Sequence, residues 1–197
     1  MRRGTVGLAL TALVAATAAG FATQGPDPGL TDARPCADAP GFTCSTLAVP
    51  LDHVGRRSGT LRLAVAVQDG DAPKGTLLFL TGGPGQPGVP YAARIAERLG
   101  TVTEGYRVVV FDQRGTGAGA LRCPALQRQM GSSDLAPPTR GAVAGCATAI
   151  GPKRRFFGTD QTVEDIEALR VALGAEKLVL DGVSYGTFVA ERYALAH

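Results

Sequence analysis

The chain has 197 residues, of which 45% are hydrophobic and 19% charged, with a net charge of +3. That length supports one domain with a real core. Twenty basic against 17 acidic residues, with only 6% aromatics, leave no electrostatic footprint for nucleic acid.

Residues 1–24 read as a signal peptide. Arg2 and Arg3 form a basic start, and Val6 to Ala19 is apolar but shorter than the ~20 residues of a membrane span. Ala16-Thr17-Ala18 offers a cleavage site near Ala18. An uncleaved anchor is the alternative. Cleavage removes two basic and no acidic residues, leaving 18 against 17. The mature chain is then expected to be secreted and free of the membrane.

Four cysteines fit an exported protein. Of the three pairings, Cys36–Cys44 with Cys123–Cys146 is favoured, because short loops close most easily. There is no C-x-x-C, and His53 and His197 are the only histidines. No metal and no cofactor are expected.

Residues 25–43 are rich in Pro and Gly, and the core domain is expected over 44–197. Thr46–Pro50 reads as a short strand and Asp52–Ser58 as a polar turn. Leu61, Leu63, Val65 and Val67 alternate with more polar positions, giving a strand with one buried face. The two strands are expected to pair antiparallel at a sheet edge. Thr76–Leu80 is continuously apolar, as in the middle of a parallel sheet. It runs into Thr81-Gly82-Gly83-Pro84-Gly85-Gln86-Pro87-Gly88, a loop where glycines allow close backbone approach to a ligand.

Pro90–Leu99 reads as a helix closed by Gly100. Tyr106–Asp112 is another buried strand and ends in Asp112-Gln113-Arg114-Gly115-Thr116-Gly117. Gly115-x-Gly117-x-x-Ala120 matches a dinucleotide fingerprint. It is rejected because Pro124 is expected to stop any helix there, and Asp134 sits in a Ser/Pro loop. Thr139–Ile150 reads as a helix, and Lys153-Arg154-Arg155 as a solvated turn. Thr162–Leu173 reads as an amphipathic helix, with Thr162 as its cap, Asp165 three residues on, and Gly174 at its end.

The most informative stretch follows. Leu178-Val179-Leu180 is a short apolar strand, Asp181–Gly186 a sharp turn, and the rest a helix without Pro or Gly. Gly182-Val183-Ser184-Tyr185-Gly186 between strand and helix is the context of a nucleophile elbow. Gly182 and Gly186 leave room where the chain folds back. Tyr185 N–H lies next to the serine and can stabilise an oxyanion. With 27 glycines in the chain the bare pattern is cheap, and its weight comes from the flanking elements.

Taken in order, GGPGQPG (82–88), DQRGTG (112–117) and GVSYGT (182–187) resemble the proline iminopeptidase and tripeptidyl aminopeptidase group of α/β-hydrolases. VPLDH (49–53) and the cysteines are similar to the secreted actinobacterial-type members. The resemblance covers about residues 36–197. It implies a partial α/β-hydrolase fold, running from the N-terminal strands through the elbow helix. It also implies Ser184 as nucleophile, and an oxyanion hole from Tyr185 N–H with Gly82 or Gly83. The substrate class it implies is a peptide, cleaved near its N-terminus. Thr81 stands where the family often has His, and Gly119 where a serine is common.

In such folds the acid and the histidine follow the serine. Only 13 residues follow Ser184, and His197 sits about 20 Å along the helix. His53 lies on an edge turn and is a poor candidate base. The chain therefore reads as the N-terminal half of a hydrolase, inactive as it stands. Made alone, residues 19–197 are expected to aggregate and to resist a fluorophosphonate probe. A carboxylic-ester hydrolase acting on small esters is the alternative, and a non-catalytic remnant the third reading.

Overall fold

The structure is a computed structural model and describes residues 29–131, 133 and 135–197. The segment read as a signal peptide, and Asp134, lie outside the described residues. Among the described residues six strands form one mixed sheet: β1 (Leu30–Pro35), β2 (Phe42–Pro50), β3 (Thr60–Gln68), β4 (Gly75–Leu80), β5 (Tyr106–Phe111) and β6 (Leu178–Gly182). Their order is β1-β2-β3-β5-β4-β6. β4 lies between β5 and β6 and is parallel to both, with Leu78 opposite Val109 on one side and Leu180 on the other. The resemblance to α/β-hydrolases implies this order, with the elbow strand 177–181 beside strand 76–80 and strand 107–112 on the other side of the latter. β2 and β3 pair antiparallel as expected, but β1, not β2, forms the edge. β1 thus lies inside the Pro/Gly-rich segment.

β4 and β5 are apolar from Leu77 to Leu80 and from Val108 to Phe111 because both faces are covered there. Val109 and Phe111 face one way, into a core with Leu78, Ile166, Leu169 and Val189. Val108 and Val110 face the other way, towards Ala92 and Ile95. Helix α1 (Ala92–Leu99) therefore covers one face, while α4 (Thr159–Ala172) and α5 (Tyr185–Ala196) cover the other. The chain leaves β4 towards β5, then returns past β4 to reach β6. Two crossovers of one hand in opposite directions must lie on opposite faces, as α1 and α4 do. The loops after β4 and β6 consequently diverge, and a crevice opens between them at the strands' C-terminal ends.

Between β5 and α4 the chain makes two further helices, α2 (Pro124–Met130) and α3 (Arg140–Ile150). Pro124 does not stop a helix but opens one, at a position where its missing N–H costs nothing. Gly115–Ala120 still starts no helix beyond a single 3-10 turn at Gly117–Gly119. Lys153–Arg155 also lie in a 3-10 turn. The disulfides are Cys36–Cys44, which closes the β1–β2 loop, and Cys123–Cys146, which ties α2 to α3.

β6 is the outer strand, and its side is partly bare. Val179 is 42% exposed and Phe188 on α5 is 48% exposed. Tyr193 bridges α5 to α4 there by donating to Glu167 Oε2 at 2.9 Å. Arg170 donates to both oxygens of the same carboxylate. These bonds, Arg170's first, hold the Glu167 carboxyl at about 2 against an ordinary 4.5, with burial opposing them. Burial first, then the bond to Glu167, pushes the Tyr193 hydroxyl up to about 12.

The folded Glu167 value lies below the unfolded one. Its stabilisation is therefore complete above pH 4.5 and is lost as the pH falls towards about 2. With a quarter of the side chain exposed, solvent screening reduces the effect to ~1 kcal/mol. Urea denaturation at pH 6 and pH 3 is expected to show Glu167→Gln losing less stability on acidification than the unsubstituted protein. Equal losses would place the acid sensitivity elsewhere.

Candidate active site

The crevice holds the turn after β6. Ser184 sits at φ +54°, ψ −121°, and is exposed. Few residues other than glycine adopt this backbone, and it persists only where surrounding packing enforces it. The enforcement is visible on both sides of the serine. A Cβ on Gly182 would lie 2.7 Å from the carbonyl carbon and oxygen of Gly186. A Cβ on Gly186 would overlap the Leu80 carbonyl oxygen and lie 2.9 Å from that of Thr81. Helix α5 is thus pressed against the end of β4, and only glycine permits it. Val183 N–H donates to Leu80 O at 3.1 Å and Gly186 N–H to Val183 O at 2.8 Å, closing the turn.

The loop after β4 meets this turn. The position a Cβ would take on buried Gly82 lies 3.0 Å from Ser184 Cβ and 3.6 Å from Ser184 Oγ. Gly83 follows at φ +110°, folded back so that a Cβ there would meet Gly85 N at 2.7 Å. Thr81 spans the loop, its hydroxyl donating to Gln86 O at 2.8 Å. Gly119 leaves its surroundings open, with Arg62 O 3.9 Å from a would-be Cβ. Tyr185 begins α5, so its N–H has no partner within the helix and stands beside Ser184. Among the described residues, neither Gly82 N–H nor Gly83 N–H donates to another group of the chain. The Tyr185 hydroxyl is drawn away to Thr159 Oγ1, 2.7 Å off. A cleft of about 460 Å³ runs beside the loop, between α1 and the β4–β6 pair. Gly82 and Val183 line it, whereas Ser184 is not among its lining residues.

The histidines are engaged elsewhere. His53 Nε2 lies 2.8 Å from Asp165 Oδ1, and its backbone N–H donates to Gln161 Oε1. His197 Nε2 lies 3.3 Å from Glu164 Oε1, and its ring stacks on Tyr193 at 5.2 Å. Among the described residues no hydrogen bond joins either ring to Ser184.

Asp165 has a different part from the one its spacing suggests. Helix α4 starts at Thr159, not Thr162, with Gly158 at the cap position. Asp165 is fully buried and accepts from Arg114 Nε at 2.7 Å and from Arg114 Nη2. Arg114 also donates to the carbonyls of Pro50, Leu51 and Phe156. Such an ion pair is tolerable in the interior because every donor is taken. The neighbours of Arg114 reach the site itself. Gln113 Nε2 donates to Thr81 O at 3.2 Å, and Asp112 Oδ1 accepts from Gly88 N–H and Val89 N–H at 2.8 and 2.9 Å. The sequence signal was present: three polar residues directly after a buried apolar strand, without an assigned contact.

The sequence profile of the alpha/beta hydrolase fold matches residues 75–197. The chain is 28% identical over 171 residues to a tripeptidyl aminopeptidase of Streptomyces lividans, covering 76% of this chain and 32% of that protein. It is 30% identical over 172 residues to the serine protease Hip1 of Mycobacterium tuberculosis, covering 78% and 33%. It thus spans about a third of the length of these curated relatives. A solved proline iminopeptidase-related protein of Thermus thermophilus superposes with a TM-score of 0.46 at 27% identity, covering 76% of this chain and 39% of that one. With the profile matching well over half of its residues, the chain belongs to the α/β-hydrolase fold family.

Proposed function

We propose that the chain carries the nucleophile and oxyanion hole of a serine aminopeptidase that works outside the cytoplasm. The observation that carries the reading is the strained Ser184, exposed at φ +54° with Gly82 packed against its side chain. In this reading Ser184 Oγ attacks the carbonyl carbon of a peptide bond near the substrate's N-terminus. The carbonyl oxygen gains negative charge and is received by Tyr185 N–H and by Gly82 or Gly83 N–H. Collapse of the tetrahedral intermediate breaks the C–N bond and releases the C-terminal part as an amine. The N-terminal part remains as an ester on Ser184, which water then hydrolyses. The proton of Ser184 needs a base, and His53 and His197 are otherwise occupied. In this proposal the base and its acid partner are groups other than these two histidines. Two disulfides support an oxidising compartment, in keeping with the basic and apolar start of the sequence.

The names of the relatives favour peptides over esters, and a substrate panel tests it. The full-length protein is expected to release aminomethylcoumarin from tripeptidyl or aminoacyl conjugates with a free amino terminus, and to refuse their N-acetylated forms. Turnover of p-nitrophenyl esters alone would favour the ester hydrolase. A folded protein that turns over none of these would favour a non-catalytic role.

A further inference from the structure

We propose that Gln113 is a positioning residue that aims the oxyanion-hole amide of Gly82, with Asp112 fixing the far end of the same loop. This inference rests on the reading of Ser184 as nucleophile and takes Gly82, the glycine packed against the Ser184 side chain, as the donor. It begins with the Thr81–Gly82 peptide. A trans peptide is planar, so its C=O and N–H point in opposite directions. Thr81 O can only accept, and buried Gln113 holds it through Nε2 at 3.2 Å. Fixing that carbonyl on the Gln113 side fixes Gly82 N–H on the opposite side.

Among the described residues no other hydrogen bond to the Thr81 carbonyl stands in for the Gln113 donor. Rotation would bring a carbonyl oxygen to where a developing oxyanion needs a donor. Gly82 itself offers little resistance to such a flip, because it has no Cβ.

The other end of the loop is tied just as deliberately. Asp112 Oδ1 accepts from two successive amides, Gly88 and Val89, at 2.8 and 2.9 Å. Gly88 is pressed so close to β5 that a Cβ would lie 2.6 Å from Phe111 O. Gly117 packs directly on the Asp112 carboxylate, where a Cβ would overlap it. Thr116 Oγ1 donates to Gln113 O at 2.7 Å and stiffens the turn that carries both residues. Arg114, the next residue, anchors that turn to α4 through Asp165. One segment, 112–117, therefore holds the glycine loop at both ends from the neighbouring strand. Its side chains touch the loop's backbone, and none is placed to touch a substrate carbonyl by these contacts.

The test is Gln113→Met in the full-length protein, a near-isosteric change that removes the donor and leaves an apolar group in a buried site. Gln113→Glu, which puts an acceptor against Thr81 O, is the second variant. Both are expected to lower kcat about 10²-fold with KM within about 2-fold. A peptide aldehyde, which forms an oxyanion on Ser184, is expected to weaken by the factor lost in kcat/KM, while a non-covalent product analogue binds unchanged. A merely structural role would move both inhibitors and the melting temperature together. A crystal structure of Gln113→Met is expected to show the Thr81 carbonyl turned from its present direction. An unmoved carbonyl, or unchanged kcat and aldehyde affinity in a folded Gln113→Met, would overturn the inference. If Ser184→Ala keeps full activity, it is the nucleophile reading that fails, and the direction of the Thr81 carbonyl still decides the role of Gln113.

Discussion

Gly186→Ala is expected to cost about 3 kcal/mol or more of stability and nearly all activity. The new methyl would overlap the Leu80 carbonyl oxygen and lie 2.8 Å from the Leu80 carbonyl carbon and 2.9 Å from the Thr81 oxygen. All three are backbone atoms, so no side-chain rotamer relieves the clash. Ordinary overpacking costs ~1–3 kcal/mol, and a clash against backbone belongs at the upper end. The alternative to unfolding is for α5 to slide away from β4, taking Ser184 with it. A displacement of about 1 Å at a reacting group costs roughly 10² in rate. Gly141→Ala on α3 is the control, since nothing lies within 4 Å of its Cβ position. That change is expected to leave stability unchanged or to raise it by up to ~1 kcal/mol. Urea denaturation of both variants gives the comparison, and a Gly186→Ala protein as stable and active as its parent would contradict the packing described.

The parts of this fold that were readable from sequence are those with local causes. Leu77 to Leu80 and Val108 to Phe111 are apolar at every position because both faces of the sheet are covered. Gly182 and Gly186 bracket Ser184 because the turn admits no Cβ, and that requirement is written in the sequence itself. Resemblance, rather than periodicity, supplied the order of the three parallel strands. What stayed hidden depends on partners far along the chain. The residues of β1 are mostly exposed and show no apolar alternation, so only pairing with β2 makes Leu30–Pro35 a strand. Asp165 read as a helix-cap partner, since its true partner Arg114 lies 51 residues away. The contact of His53 with Asp165 spans 112 residues and leaves no local signal. Pro124 reads as a stop in the sequence, because a proline looks the same before a helix as after one. Gln113 and Asp112 act on backbone atoms of another loop, which no motif spacing reveals.

Ser184→Ala is expected to remove on the order of 10⁶ of kcat from the full-length protein. The loss is large if, as proposed, the Ser184 oxygen forms the bond to the substrate carbonyl. What remains is binding and the oxyanion hole, which alone sustain only weak catalysis. Stability is expected to change by less than about 1 kcal/mol, since the Ser184 side chain is exposed and the turn is held by Gly182 and Gly186. The two readouts separate chemistry from folding. Melting with the parent and failing to turn over substrate is the expected pair of results, whereas a joint loss would point to a structural role for the serine.

Covalent trapping tests the nucleophile most directly. The full-length protein would be treated with a fluorophosphonate, digested and mapped by mass spectrometry. One equivalent of label on Ser184, absent from Ser184→Ala and blocked by a peptide substrate, is the result expected. Label carried on another serine, or substrate turnover that continues with Ser184 unlabelled, would contradict it.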